Sequence, residues 1–189
     1  MGTAANVIVG VAQAWIAPAN TASPVFTSAT GLVTTPTTPW AAVGFTESGV
    51  TINVDRKTTN IMVEEQSTPI LVVPDTTDLT IDIAFAEDTV LNMQTAYGGG
   101  TITTIAPSSG VPGQTVLTLA DALTAFAIAL VGVNSSGLAR LVYVPNLISG
   151  GKVKTTYSRA KANRSYPATF PAVCPLSSIV ITDVTATHA

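Results

Sequence analysis

Leu79-Thr80-Ile81-Asp82-Ile83-Ala84-Phe85 alternates large apolar residues with small or polar ones without a break. Successive side chains of an extended strand point to opposite faces, so this stretch reads as a strand with one buried and one wetted face. A one-residue slip in register would turn Asp82 inward and expose three large hydrophobes, so the pairing is strongly specified. Val50-Thr51-Ile52-Asn53-Val54-Asp55 repeats the pattern upstream. Two half-buried strands of this kind imply antiparallel pairing and a mainly β fold.

Working outward, residues 57–76 join these two strands and contain Glu64, Glu65, Pro69 and Pro74. They read as a long, partly extended hairpin loop. Downstream, a helix is expected over residues 87–97. Glu87 and Asp88 suit its start, Val90, Leu91, Gln94 and Tyr97 trace one face, and Gly98-Gly99-Gly100 ends it. Further strands are expected over 101–105, 114–119, 123–133, 138–144, 152–157, 166–173 and 179–184. Upstream, a short strand over 6–16 precedes an arm or long loop over 17–39, where Pro18, Pro24, Pro36 and Pro39 rule out a helix. Many short strands and one helix predict a single β-sandwich or barrel-like domain over 1–189, with one flanking α-helix and an extended N-terminal arm.

Charge is scarce. Asp, Glu, Lys and Arg make up 10% of the 189 residues, against about 25% in an ordinary soluble domain. A compact monomer of this size exposes roughly 8,500 Å², or about one charge per 450 Å². Mean hydropathy is +0.45, yet the longest apolar candidate, residues 123–133, is too short to cross a bilayer, so no membrane anchor is expected. Association with other chains is the remaining way to hide such a surface. The alternative is a monomer coated by its 30 Thr hydroxyls.

Residues 1–121 hold 2 basic and 10 acidic side chains, and residues 122–189 hold 6 and 1, so the two parts carry −8 and +5. Opposed patches favour head-to-tail contacts between copies, or else pair within one chain. A net charge of −3 argues against sequence-reading nucleic-acid binding. The basic run Lys152, Lys154, Arg159, Lys161 and Arg164 reads as a solvated strand edge. Cys174 is the single cysteine, so it forms no intrachain disulfide and reads as a small buried hydrophobe. The first basic residue is Arg56. The positive start of a secretory signal is therefore missing, which predicts folding in a reducing cytoplasm.

No constellation supports catalysis. The single His, His188, stands one residue from the end of the sequence and is poorly placed as a general base. Gly150-Gly151-Lys152 fails the phosphate-loop pattern at Asn146 and Val153. The triple glycine at 98–100 reads as a helix cap rather than a phosphate cradle. Asp75, Asp78, Asp82, Glu87 and Asp88 form the densest acidic group, but without the spacing of a calcium loop they read as a solvated face. No catalytic, metal or cofactor site is expected, and the chain does not read as an enzyme.

The stretch Trp40-Ala-Ala-Val-Gly-Phe-Thr-Glu-Ser-Gly-Val-Thr-Ile-Asn-Val-Asp-Arg56, continued by Thr58-Thr59-Asn60-Ile61 and Val63-Glu64-Glu65-Gln66, resembles major tail proteins of siphophages. So does the helix ending in Asn92-Met93-Gln94-Thr95-Ala96-Tyr97-Gly98-Gly99-Gly100 directly after a long alternating strand. The resemblance covers residues 5–160 and is strongest over 40–100. It implies a virion tail-tube subunit assembled as stacked hexameric rings, a conduit for DNA ejection built in the host cytoplasm. Its partners would be other copies of itself, a tape measure protein and a tail terminator, with DNA passing through unbound. It further implies that the loop over 57–76 reaches the adjacent ring, with Arg56, Lys57, Glu64 and Glu65 as inter-ring contacts. Asp78 and Asp82 would face a lumen that repels phosphate. If each of six copies gives four strands, 24 strands make a barrel of about 48 Å backbone diameter. The Pro- and Thr-rich arm over 17–39 departs from the family pattern. The rival reading is a cell-surface or adhesive β-sandwich module. It would suit the Thr content, but predicts an export signal and a concave aromatic site in a chain with 6% aromatics.

Overall fold

A computed structural model of the chain describes residues 13–25, 36–133, 139–150, 153 and 166–183. Within them, two-residue alternation builds most of the molecule. In chain order the elements are β1 (Gln13–Pro18), β2 (Ala41–Ala42), β3 (Thr46–Val63), β4 (Gln66–Phe85), α1 (Val90–Ala96), β5 (Thr101–Ile105), β6 (Gln114–Thr118), β7 (Phe126–Val133), β8 (Ala139–Leu147), β9 (Tyr166–Pro171) and β10 (Val180–Asp183). They form a five-stranded sheet in the order β10-β8-β7-β1-β2, a three-stranded sheet β3-β4-β9 and a separate hairpin β5-β6. Every named strand pair is antiparallel. The mainly β expectation holds, with open sheets. The strand expected over 152–157, the basic run beside it and His188 lie outside the described residues, apart from Val153.

The alternation of β4 does what its sequence dictates. Leu79, Ile81, Ile83 and Phe85 are buried, while Thr80, Asp82 and Ala84 face the other side. With Tyr166, Ala168 and Phe170 of β9 they meet Ala14 and Ile16 of β1, Ile128 and Leu130 of β7, and Val144 and Leu147 of β8 in one cluster, so the two sheets share a core. Phe170 stands edge-on to both Phe126 (5.0 Å between centroids) and Phe85 (6.1 Å). Burying each large side chain of this set contributes about 1.5–3 kcal/mol.

The opposite face of the five-stranded sheet carries a second cluster, Ala127, Ala129 and Val131 with Leu141, Tyr143 and Trp40. Apolar cover on both faces is why the run in β7 shows no alternation. Tyr143 also donates its hydroxyl to the Thr21 carbonyl (2.5 Å), tying down residues that follow β1. Cys174 is half-buried and packs against the main core.

The helix is shorter than its sequence suggests and starts later, because Thr89 rather than an acid caps it: the Thr89 hydroxyl accepts from the Asn92 amide at 3.1 Å. Glu87 and Asp88 have tertiary partners instead. Glu87 accepts from the Phe45 amide at 3.0 Å, and its carboxylate fills the space where a Cβ on Gly44 would sit. Asp88 accepts from the hydroxyl of Tyr166. Buried Asn92 donates to the carbonyls of Val43 (3.0 Å) and Glu87 (3.1 Å), which holds both approach segments on the helix. At the other end the amides of Gly98 and Gly99 return to the carbonyls of Thr95 and Gln94, the capping role expected of the glycines.

Candidate assembly surface

The largest departure from sequence expectation is residues 57–76. They are not a loop. β3 and β4 continue through them as paired strands and turn only at Glu64-Glu65. Pro69 and Pro74 suggested a loop, because proline cannot donate within a sheet. Among the described residues β9 pairs only with Thr80 through Phe85, however, so on that side the distal half of β4 has no partner and proline is tolerated.

This hairpin forms an arm that leaves the core at Leu79. From residue 51 to 78 every side chain is exposed except that of Val63, which is half-buried. Thirteen residues of β4 precede Leu79, a projection of about 43 Å at 3.3 Å per residue. An isolated two-stranded hairpin is marginal in water.

A register shift then changes what the arm presents. Lys57 pairs with Thr76 and Thr58 with Pro74, which leaves Asp75 as an extra residue on β4. Such a bulge reverses the phase of the strand beyond it. Leu71 and Val73 share parity with Leu79, Ile81 and Ile83, and an unbroken strand would place them on the core side. Paired with Ile61 and Thr59, they face the opposite side instead. Val72 takes the core side opposite Asn60, and alternation places Ile70 with it. The arm therefore carries exposed aliphatic residues on both faces: Ile70 (52%) and Val72 (55%) on one, Ile61 (42%) and Leu71 (53%) on the other.

The acids and bases singled out from the sequence lie along the same hairpin. Glu64 and Glu65 form its exposed tip. Arg56 and Lys57 sit midway, opposite Thr77 and Thr76. Lys57 lies 3.8 Å from Asp78, both more than 60% exposed, a pair worth at most about 1 kcal/mol. Asp78 stands directly across from Asp55, a like-charge pairing that Lys57 offsets. Asp82 accepts from Asn53 on β3 (2.7 Å) and Thr169 on β9 (2.5 Å), clamping all three strands from their polar side. Among the described residues that face of the hairpin thus holds three carboxylates, Asp55, Asp78 and Asp82, to the one amine of Lys57.

An edge of 18 residues without proline, β3, is left unpaired on its outer side among the described residues. An open edge of this length is normally covered or guarded by charges, and Glu47, Asp55, Arg56 and Lys57 lie along this one. Free edge, two-faced arm and charge-poor surface all favour contact with other chains. Against known families, residues 1–137 match the model of the phage tail tube proteins. The chain belongs to that family.

No curated protein matches the chain. As a tail tube protein it is structural rather than enzymatic, and its role is in the phage tail. The family assignment takes the place of the adhesive-module alternative. Among the described residues no helix is long and apolar enough to cross a membrane.

The sequence-based choice of assembly residues was drawn to charge and missed the aliphatic ones. Ile70-Leu71-Val72-Val73 was visible as a run, but its prolines at both ends marked it as a loop. Phe45, 77% exposed beside the Glu87 contact, was missed as well.

Proposed function

We propose that this tail tube protein polymerises as stacked hexameric rings, siphophage fashion, forming the conduit through which phage DNA is ejected. The arm carries this reading. A dimer that covered one of its faces would leave the other wet, whereas a ring stacked on another ring offers both a lateral and an axial neighbour. The unpaired edge of β3 supports lateral closure, since joining copies edge to edge removes it. With the three described strands per copy, six copies set a floor of about 36 Å for the barrel's backbone diameter. That is below the 48 Å that four strands each would give.

In this arrangement Arg56, Lys57, Glu64 and Glu65 contact the adjacent ring, and the polar face at the base of the arm, with Asp78 and Asp82, lines the lumen, whereas beyond the bulge the same side, with Ile61 and Leu71, lies against a neighbouring copy. The carboxylate excess of that polar face would repel DNA phosphates and let the duplex pass without binding. A tape measure protein and a tail terminator complete the partners, with assembly in the host cytoplasm before incorporation into the virion.

Electron microscopy of the purified protein should show rings or tubes, and persistent monomers at high concentration would overturn the proposal. Replacing Glu64 and Glu65 with Lys should reduce tube yield and keep the β signature in circular dichroism. Unchanged yield would remove the tip from the inter-ring contact.

A further inference from the structure

The foot of β3 carries a side chain for which the arm does not account. Phe45 immediately precedes the strand and is 77% exposed, the most exposed large hydrophobic residue among those described. Single apolar residues on a surface are ordinary. What sets Phe45 apart is how firmly its backbone is held. On one side Val43 is buried in the core, and its amide donates to the Ala14 carbonyl at 3.0 Å. On the other, Thr46 pairs with Phe85. Between them the Phe45 amide donates to Glu87 Oε1 and the Phe45 carbonyl accepts from the Ala86 amide, both at 3.0 Å. The backbone donor and acceptor of the residue are thus both engaged, and the ring stands out from a fixed base.

Gly44 makes this base possible. Its φ of +82° is one that side chains rarely adopt, and a Cβ there would lie 2.2 Å from the Glu87 carboxylate carbon. Glu87 is held in turn, because Asn92 donates to the Glu87 carbonyl at 3.1 Å and to the Val43 carbonyl at 3.0 Å. An aromatic side chain with two rotatable bonds loses little entropy when it is covered, which is one reason aromatics are enriched where proteins meet.

The partner that covers the ring follows from the strand that begins there. As a tail tube protein the chain assembles with copies of itself, and β3 leaves its outer edge unpaired among the described residues. A second chain laid along that edge cannot keep a regular ladder down to the foot. Thr46 pairs with Phe85 and Val50 with Ile83, so residues 47–49 stand against Ala84 alone, with Gly49 at a φ of +77°. Such a bulge interrupts regular pairing. Below it, contact with the incoming chain passes from backbone to side chain, and Phe45 is the apolar group that the foot presents. We propose that Phe45 anchors the lateral contact between neighbouring copies at the foot of β3, and that Glu87 is the residue that positions it. This inference rests on lateral closure at the β3 edge and names the side chain that secures it. An edge pinned in this way cannot slide past its neighbour in two-residue steps, so the same contact fixes the register between copies.

The test is made on the full chain. Phe45→Ala and Phe45→Asp should keep the monomer's circular dichroism and Tm, since the ring is mostly exposed. The first should raise the concentration needed for tube formation about 10- to 50-fold, and the second, which sets a carboxylate in an apolar contact, at least ~100-fold. Assembly of the aspartate variant within ~3-fold of the parent would overturn the inference.

Cross-linking reads the position of the contact. On a Cys174→Ser background, Phe45→Cys protein carrying a thiol-linked benzophenone should, when its tubes are irradiated, give a series of products that stops at the copy number of one ring. Products that run past that number would place Phe45 between rings, and tubes without products would leave it uncovered. Each of these results overturns the inference while the ring reading stands. A parent that forms neither rings nor tubes would overturn the ring reading beneath it. The role of Glu87 is read by coupling. Glu87→Ala should raise the assembly concentration about 3- to 10-fold in the parent but no more than ~2-fold on the Phe45→Ala background, because it acts through the ring. Equal losses on both backgrounds would mean that Glu87 serves the fold alone, and its positioning role would be overturned.

Discussion

Replacing Leu71 with Asp should all but abolish tube formation and leave the monomer nearly as stable as before. Leu71 is 53% exposed on the face of the arm turned away from the core. Fully burying a leucine contributes about 1.5–3 kcal/mol, so covering the exposed half is worth about 1 kcal/mol per copy. Aspartate forfeits that and brings a carboxylate into an apolar contact, at a further cost of about 3 kcal/mol. A total near 4 kcal/mol corresponds to about three decades in the concentration needed for assembly. Leu71→Ala, which loses only the apolar term, should shift it about fivefold. In the monomer the position touches little, so Tm should move by no more than about 2 °C. Sedimentation of tubes across a dilution series gives the first quantity, and thermal melting by circular dichroism gives the second. If the aspartate variant assembled within tenfold of the parent, the arm's outer face would not be covered in the tube. If its Tm fell steeply, the face would already be covered within the monomer.

Inserting one residue between Lys57 and Thr58 should give Asp75 a partner, remove the bulge and return Leu71 and Val73 to the core side of the arm, so that β content survives while tube yield collapses; circular dichroism and microscopy on one sample read both. Asn92→Ala strips the Val43 and Glu87 carbonyls of their donors, which should cost about 2–4 kcal/mol and lower Tm by roughly 5–15 °C, with tubes still forming below the transition. The Arg140 guanidinium, bonded to Asp183 at 2.5 and 2.9 Å, holds that carboxyl below its ordinary 3.8. The attachment of β10 is then fully present above that value and is lost as pH falls through the lowered one. Amide protection over Val180–Asp183 should fall on acidification below about pH 4, and Asp183→Asn should show reduced protection at neutral pH with no further acid step.

Where one face of a strand is wet and the other dry, the chain announces the strand plainly, and Leu79 to Phe85 lies where its alternation says. Most expected strands fall on observed ones for the same reason, with ends shifted by a few residues. The arm was illegible for a physical reason. Its apolar residues face both ways, so no period appears, and its prolines mark a free edge that only the short reach of β9 creates. Nothing local marks Asp75 as an extra residue; the bulge exists only in the pairing with Lys57 and Thr58. Glu87 and Asp88 were assigned to the helix terminus because an acid there is favourable, but Phe45 and Tyr166, distant in sequence, hold them instead.

Because β4 runs from an exposed hairpin arm into the core, each copy is a vector, and any polymer of aligned copies ends in two chemically different mouths. One would bristle with unsheathed hairpins and the other would lack them. A factor that starts growth at one mouth would find no purchase at the other. Length control in such a filament therefore calls for two dissimilar capping surfaces.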